Sequence, residues 1–230
     1  MPVAAFTTAR MPAFDLSLLP PDPDLSFEQA LWECGTITIA GIDEAGRGAL
    51  AGPVAAAAVI LPVGPGSAIQ LKGTRDSKQM TPHQREEARQ RIRTVALAWG
   101  VGFASAEEID SLGILPATRL AASRALGALT IPPAHLLLDY LFLPDIPLPQ
   151  TALVKGDCRS LSIAAASVMA KTSRDALLCE LDLCYPGYGF AAHKGYGTQA
   201  HRLALERLGV SPVHRLSFAL QPRNKVPITL

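Results

Sequence analysis

The sequence has no long hydrophobic run and few cysteines, and each absence excludes a class of protein. No apolar stretch approaches the ~18 residues that a membrane-spanning helix needs, and the longest one, residues 54–61, has the length of a strand. The four cysteines form no Cys-x-x-Cys pair, so a disulfide framework and a zinc site are not expected, and the chain suits a reducing cytoplasm. No apolar segment follows Arg10, so no signal peptide is predicted.

The chain has enough apolar residues for one packed domain. Of its 230 residues, 49% are hydrophobic and 18% are charged, and its 18 glycines and 19 prolines follow no period. This composition excludes disordered, collagen-like and low-complexity classes. Prolines and aspartates dominate the start, so residues 1–26 are predicted to be a flexible tail, residues 27–220 the domain, and residues 221–230 a second tail.

The net charge of +1 is unevenly distributed along the chain. Residues 1–40 carry a net charge of −4 and residues 41–230 a net charge of +5. Aromatic and basic residues alternate within 185–198. Basic groups neutralise phosphates and aromatic rings stack on sugars or bases, so one interpretation of this pattern is a surface that binds a polyanionic partner. The other interpretation is an ordinary solvated surface with a packed aromatic loop.

Hydrophobic periodicity predicts an α/β fold with a mixed sheet and helices on its faces. Strands are predicted at 36–43, 54–61, 99–104, 136–140 and 152–154. Helices are predicted at 26–33, 81–98, 114–129, 161–183 and 198–208. Ser26 is expected to cap the first helix, and Thr81 and Gln84 match a capping box at the start of the second.

Asp43 and Glu44 stand directly after an apolar strand segment. Ionised carboxylates beside a buried strand are costly unless something compensates them, and a surface turn or helix cap accounts poorly for this position. Neighbouring strand residues point to opposite faces, so the two side chains share one site only if the strand ends or bulges between them. Gly46 and Gly48 favour such a break.

Two more acids follow predicted strands. Asp139 closes the apolar run that begins at Leu136, and Asp157 comes just after the strand at 152–154. Alone, Asp139 is compatible with a salt-bridged structural acid and Asp157 with a turn residue. Together with Asp43 and Glu44 they place four carboxylates near strand ends, where ligand sites in open α/β sheets lie. Clustered carboxylates repel one another, and cations such as Mg²⁺ relieve the repulsion and support phosphoryl transfer.

Gly46-Arg47-Gly48 follows these first acids. The glycines let backbone groups approach a ligand closely, and Arg47 offers a partner for phosphate. A simple turn is the other reading, but the position beside Asp43 and Glu44 favours a substrate contact.

Short motifs follow one another in order over residues 27–220. They are Gly41-Ile42-Asp43-Glu44-Ala45-Gly46-Arg47-Gly48, Ala51-Gly52-Pro53-Val54, Asp76-Ser77-Lys78, Lys155-Gly156-Asp157, Ser162-Ile163-Ala164-Ala165-Ala166-Ser167, Ala170-Lys171, Arg174-Asp175, Tyr185-Pro186, His193-Lys194-Gly195-Tyr196-Gly197-Thr198 and His214-Arg215-Leu216-Ser217-Phe218. This ordered set resembles the motifs of bacterial ribonuclease HII, a type 2 ribonuclease H family.

The resemblance implies a ribonuclease H-like fold, with a mixed five-stranded sheet flanked by helices and a helical C-terminal part. It implies an endonuclease that hydrolyses the RNA strand of RNA/DNA hybrids and cuts 5′ to single ribonucleotides embedded in duplex DNA. A monomer is the default expectation, and the cysteine content favours a cytoplasmic location. Two divalent ions, Mg²⁺ or Mn²⁺, would serve the reaction, and the products would carry 3′-hydroxyl and 5′-phosphate ends.

The resemblance also implies roles for individual residues. The catalytic, metal-binding carboxylates would be Asp43, Glu44, Asp139 and Asp157. The reader of the RNA–DNA junction would be Gly46-Arg47-Gly48, near the ribose 2′-hydroxyl that separates RNA from DNA. Tyr196 would stack on the adjacent deoxyribose. The lysines expected to contact the substrate are Lys78, Lys155, Lys171 and Lys194.

The chain departs from the family pattern at three places. Tyr140 stands after Asp139 where glycine is common, Ala49 replaces a proline, and Gln79-Met80 replaces Lys-Leu. The alternatives are a ribonuclease HIII-type nuclease, a non-catalytic nucleic-acid-binding module, and a structural or interaction protein. Ribonuclease HIII normally carries a separate N-terminal domain, for which the 40 residues before the first motif leave little room, and a binding module is expected to have lost some of the four acids.

Overall fold

The computed structural model describes residues 15, 17 and 19–220. Most of the predicted N-terminal tail, residues 1–14, 16 and 18, lies outside the described residues, as does the predicted tail at 221–230. Near the end of the first tail, Asp24 forms a parallel bridge with Ser160, and Leu25 is buried in the core. The division into tail and domain stays a prediction.

The part of the chain that the structure describes contains five strands and eight helices. The strands are β1 (Ile39–Ala45), β2 (Val54–Ile60), β3 (Ala98–Ala104), β4 (His135–Asp139) and β5 (Gln150–Leu153). The helices are α1 (Ser26–Glu33), α2 (Gly66–Gln70), α3 (Pro82–Val95), α4 (Ala106–Leu112), α5 (Ile114–Gly127), α6 (Leu161–Cys184), α7 (Phe190–His193) and α8 (Gln199–Leu208). Short 3₁₀ turns cover Ser77–Gln79 and Gly156–Cys158.

The predicted mixed five-stranded sheet is confirmed. Its strand order is β3-β2-β1-β4-β5, with β1, β2 and β3 antiparallel and β1, β4 and β5 parallel. Helix α5 packs on one face of the sheet, and α6 and α3 on the other, so β1 and β2 are buried on both sides. The parallel β1–β4 pair brings two strand ends together at the sheet centre.

Close approach of α6 to β1 depends on a glycine. A Cβ atom on Gly41 would collide with the backbone of Ser162, at the start of α6. Because Gly41 has no Cβ atom, α6 can lie directly on the strand that carries Asp43.

The capping predictions had different outcomes. Thr81 and Gln84 form the expected capping box at the start of α3. Ser26 does not cap α1, because it is the first helical residue; its N–H instead donates to Asp24 Oδ1 at 2.9 Å. Within the described residues, no helix is both long and apolar enough to cross a membrane.

Candidate active site

Three carboxylates meet where β1, β4 and β5 end. Asp43 lies one residue beyond the last parallel pair, Ile42 with Leu138, and Asp139 is the final residue of β4. Asp157 lies in the 3₁₀ turn that follows β5. One carboxylate oxygen from each of the three acids lies within 4.8 Å of the others. The topology thus brings together three of the four carboxylates selected from the sequence.

Burial leaves two oxygens of this cluster without a hydrogen-bond partner among the described residues. Asp43 and Asp157 are each 3% exposed, and Asp43 Oδ2 and Asp157 Oδ1 accept no hydrogen bond from the described residues. Asp139 is better satisfied, because its Oδ1 accepts the Gly156 N–H at 2.8 Å. Unpartnered buried carboxylate oxygens are costly, and a bound divalent cation is the group that would satisfy them. These residues therefore fit a metal site.

The cluster perturbs its own proton affinities. Burial, followed by the charges of Glu44 and Asp139, raises the pKa of Asp43 well above its usual range. Burial and then the charges of Asp139 and Asp76 raise the pKa of Asp157 to about 6. Burial is also the main cause of the raised pKa of Asp139. Mutual repulsion and desolvation thus both favour binding of a cation here.

Glu44 lies beside the cluster rather than within it. The expected break in the strand after Asp43 is absent, because β1 pairs regularly with β2 through Ala45 and Ala55. Glu44 therefore points to the opposite face, where its Oε1 accepts from Arg47 Nη1 at 3.1 Å. Its charge still contributes to the raised pKa of Asp139, so it remains within electrostatic reach of the site.

Lys78 lies over the cluster on the 3₁₀ turn that follows Asp76. Its Nζ is 3.9 Å from both Asp76 Oδ1 and Asp157 Oδ2. Burial acts to lower the pKa of Lys78, but the surrounding carboxylates outweigh it and raise that pKa. Asp76 caps this turn by accepting the Lys78 N–H at 2.9 Å. Asp76 had no role in the sequence analysis, although its motif was identified.

A groove of about 790 Å³ runs beside the carboxylates. Among the residues that line it are Gly46, Arg47, Gly48, Lys78, Lys171 and Tyr196. The Lys171 ammonium lies 5.7 Å from the centroid of the Tyr196 ring and pairs with Asp175 at 2.7 Å. Six of the eight predicted substrate-contact residues therefore share one groove.

The remaining two predicted lysines lie elsewhere. Lys155 is exposed before the Gly156–Cys158 turn, in a left-handed conformation with φ of 56°. It is close enough to Asp139 to act against the rise in that pKa. Lys194 faces a neighbouring depression, and its Nζ donates to Cys179 Sγ at 3.3 Å and to the Ala191 carbonyl.

Two fully buried arginines lie behind the Gly46–Arg47–Gly48 loop and the 51–53 segment that follows it, and the sequence analysis assigned neither a role. Arg174, from α6, donates to the Pro53 carbonyl at 2.8 Å and the Ala51 carbonyl at 3.1 Å. Arg215 donates to the Gly52 carbonyl and the Arg47 carbonyl, each at 2.9 Å. Burial lowers the pKa of Arg215 to about 9. Both residues lie in motifs that the sequence displayed, but their burial was not visible there.

Two of the three departures have local explanations, and nothing in the structure explains the third, Tyr140. Tyr140 is 79% exposed with φ of 48°, a left-handed conformation that favours glycine. The Ala49 N–H donates to the Gly46 carbonyl at 3.3 Å, a bond that proline cannot make. Gln79 donates to Asp76 Oδ2 at 3.5 Å, so it supports the acid beside the cluster.

Comparison with known proteins agrees with this geometry. The family model described as Ribonuclease HII matches residues 40–221. The chain belongs to the ribonuclease HII family. Curated ribonucleases HII similar to it come from Synechococcus sp. (56% identical over 86% of this chain and 88% of that protein) and Chloroflexus aurantiacus (55% identical over 85% and 93%). One from Dehalococcoides mccartyi is 51% identical over 86% of this chain and 93% of that protein.

Solved structures support the ribonuclease H-like fold. The ribonuclease HII of Archaeoglobus fulgidus, solved in complex with PCNA, has a TM-score of 0.66 and 25% identity over 82% of this chain and 98% of that one. Ribonuclease H2 from Pyrococcus horikoshii has a TM-score of 0.65 and 24% identity over 80% and 95%. A ribonuclease HIII solved with Mn²⁺ shares the fold at a TM-score of 0.60 and 19% identity over 83% and 70%.

Proposed function

We propose that this protein hydrolyses the RNA strand of RNA/DNA hybrids and cuts 5′ to single ribonucleotides in duplex DNA. The products would be 3′-hydroxyl and 5′-phosphate ends. The observation that carries the proposal is the convergence of Asp43, Asp139 and Asp157 within 4.8 Å, with buried oxygens left unpartnered. The family membership supports the ribonuclease H activity, and the charged groove beside the cluster supports a nucleic-acid substrate.

The carboxylates of Asp43, Asp139 and Asp157 would hold the divalent cations, with Glu44 at the edge of the site. Two bound ions, Mg²⁺ or Mn²⁺, would supply Lewis-acid activation of the attacking water and stabilisation of the leaving 3′ oxygen. The chain itself supplies a rigid frame, because Asp139 is held by the Gly156 N–H and Asp43 by strand pairing on β1. Lys78 would contact a phosphate next to the cut.

The groove would select the ribonucleotide. Gly48 has no atom within 4 Å of where its Cβ would lie, so the backbone there is open to a sugar. Arg47, half exposed beside it, would contact phosphate, and the Tyr196 ring would stack on the following deoxyribose. Backbone contacts read shape and the 2′-hydroxyl rather than base sequence, so little sequence preference is expected.

The test is cleavage of an end-labelled DNA duplex that carries one ribonucleotide. Reactions contain Mg²⁺, Mn²⁺ or a chelator, beside an all-DNA duplex and a long RNA/DNA hybrid. We expect one metal-dependent cut on the 5′ side of the ribonucleotide and none in the all-DNA duplex. Cleavage of the long hybrid alone would remove the junction-reading role of Gly46, Arg47, Gly48 and Tyr196. No cleavage of either substrate by folded protein would contradict the proposal and favour the binding-module alternative.

A further inference from the structure

Three histidines lie together beneath the loop that carries Tyr196. His201 and His214 are almost completely buried, and their Nε2 atoms are 3.1 Å apart. His193 stacks on His201 with ring centroids 4.2 Å apart. Every ring nitrogen of the three has a hydrogen-bond partner. The cluster is therefore a set of hydrogen bonds, with no nitrogen left to bind a metal ion.

The partners determine the tautomer of each ring in the His214–His201 pair. His201 Nδ1 lies 3.0 Å from the Tyr196 carbonyl, which can only accept, so this nitrogen carries the proton. His214 Nδ1 accepts the Ser211 N–H at 2.9 Å, so the proton of this ring is on Nε2. His214 Nε2–H then donates to the bare His201 Nε2. Burial lowers the pKa of both histidines, in agreement with two neutral rings.

The hydrogen bonds that run from Ser211 through His214 and His201 to the Tyr196 carbonyl form a relay. One end of this relay holds Tyr196. The Tyr196 carbonyl accepts from His201, and the Tyr196 N–H donates to the His193 carbonyl at 3.0 Å. The adjacent Gly195 carbonyl accepts the Leu50 N–H at 2.8 Å, two residues after Gly48. The Tyr196 backbone is therefore fixed on both sides.

The other end of the relay reaches the Gly46–Arg47–Gly48 loop. His214 forms an antiparallel bridge with Ala51, and the next residue, Arg215, donates to the Arg47 carbonyl. The relay thus links the two parts of the groove that would read the junction. None of its hydrogen bonds involves Asp43, Asp139 or Asp157.

We propose that His214 and His201 are positioning residues that set the orientation of the Tyr196 ring, and with it the preference for a ribonucleotide–deoxyribonucleotide junction over a continuous hybrid. This inference rests on the proposed function. Loss of the relay should act on substrate discrimination, because the relay contacts the groove and not the carboxylate cluster.

The test compares kcat/KM on the single-ribonucleotide duplex with kcat/KM on a long RNA/DNA hybrid. His201→Phe keeps the ring shape but removes both hydrogen bonds. Loss of the hydrogen bond to the Tyr196 backbone carbonyl predicts that the junction-to-hybrid ratio falls roughly tenfold, chiefly through KM. His201→Asn places an amide N–H near the former Nδ1–H, so it should recover most of the ratio.

The matched control is Tyr188→Phe. It removes the 2.9 Å bond from the Tyr188 hydroxyl to the Gly209 carbonyl in the same buried aromatic cluster, outside the relay. Its junction-to-hybrid ratio should equal that of the wild type. An unchanged ratio in folded His201→Phe, or an equal loss on both substrates, would overturn the proposal. A wild-type protein that does not cut the junction substrate would instead overturn the proposed function.

A second measurement needs no variant. The ¹⁵N shifts of the imidazole rings in the wild-type protein at neutral pH report which nitrogen carries each proton. We expect the Nδ1–H tautomer for His201 and the Nε2–H tautomer for His214. The Nε2–H tautomer in both rings would refute the relay.

Discussion

Asp43→Asn should make the metal-free protein more stable while abolishing hydrolysis. The substitution keeps the shape of the side chain and removes one charge from a cluster in which carboxylate oxygens lie within 4.8 Å of one another. In most buried sites the loss of a functional side chain destabilises the fold. Here the side chain is a buried anion whose neighbours are anions, so the sign should be reversed.

The size of the effect follows from the spacing. At 4.8 Å and an effective dielectric constant of about 20, each like-charge pair repels by roughly 3 kcal/mol. The raised pKa of Asp43 shows that proton binding already relieves part of this repulsion. We therefore expect a net gain of about 1–3 kcal/mol in the free energy of unfolding at pH 7, which corresponds to a rise in Tm of roughly 2–10 °C.

Thermal unfolding with a chelator and with Mg²⁺ or Mn²⁺ tests this expectation. The wild type should gain stability on adding the metal, and Asp43→Asn should lose most of that gain, because a cation stabilises only the protein that binds it. Asp145→Asn, which removes one exposed charge, is the control and should leave the Tm unchanged. If Asp43→Asn lowers the Tm in chelator, or still cuts hybrid at the wild-type rate, the reasoning about the cluster is wrong.

Three further predictions concern the groove, the strand end and the histidines. Gly46→Ala should lower the free energy of unfolding in urea by at least about 3 kcal/mol, because φ is 90° and a Cβ would collide with the buried Arg174. Gly48→Ala, with open space around it, should stay within about 1 kcal/mol of the wild type. Equal losses of stability in the two variants would contradict this. Tyr140→Gly should leave stability unchanged or raise it by up to about 1 kcal/mol, because it relieves a left-handed φ of 48°, and a clear loss would show that the ring itself is needed. Burial lowers the pKa of His201 to about 4, below its value in the unfolded chain, so its contribution to stability is complete above about pH 6.5 and is lost as the pH falls towards 4. In urea unfolding, the wild type should therefore lose about 3 kcal/mol more than His201→Phe over this pH range. Parallel pH profiles of the two proteins would refute this expectation.

Strand ends and carboxylates were predictable because both follow from local pattern. The alternation before Asp43 and the apolar run before Asp139 each located a strand end to within two residues. The α/β pattern implies that such strands lie side by side and parallel in one sheet. Their parallel pairing then brings the acids at their ends together.

The side to which Glu44 points was not predictable from pattern alone. The glycines at 46 and 48 favoured a break in β1 after Asp43, but pairing with β2 continues without a bulge through Ala45. The buried arginines were missed for a related reason. Arg174 and Arg215 look like surface cations in a sequence, and only the tertiary structure shows that their guanidinium groups bind loop carbonyls.

The β1–β4 pairing also bears on the order in which the protein gains activity during synthesis. Asp43 emerges early and can join the local β1–β2–β3 meander, but its partners Asp139 and Asp157 lie about a hundred residues further along the chain. Long-range parallel pairing forms late, because the intervening chain must first be ordered. We therefore expect the nascent chain to pair its first three strands while Glu44 is the main acidic neighbour of Asp43, and to complete the nuclease centre only when Asp139 and Asp157 join a scaffold that already exists.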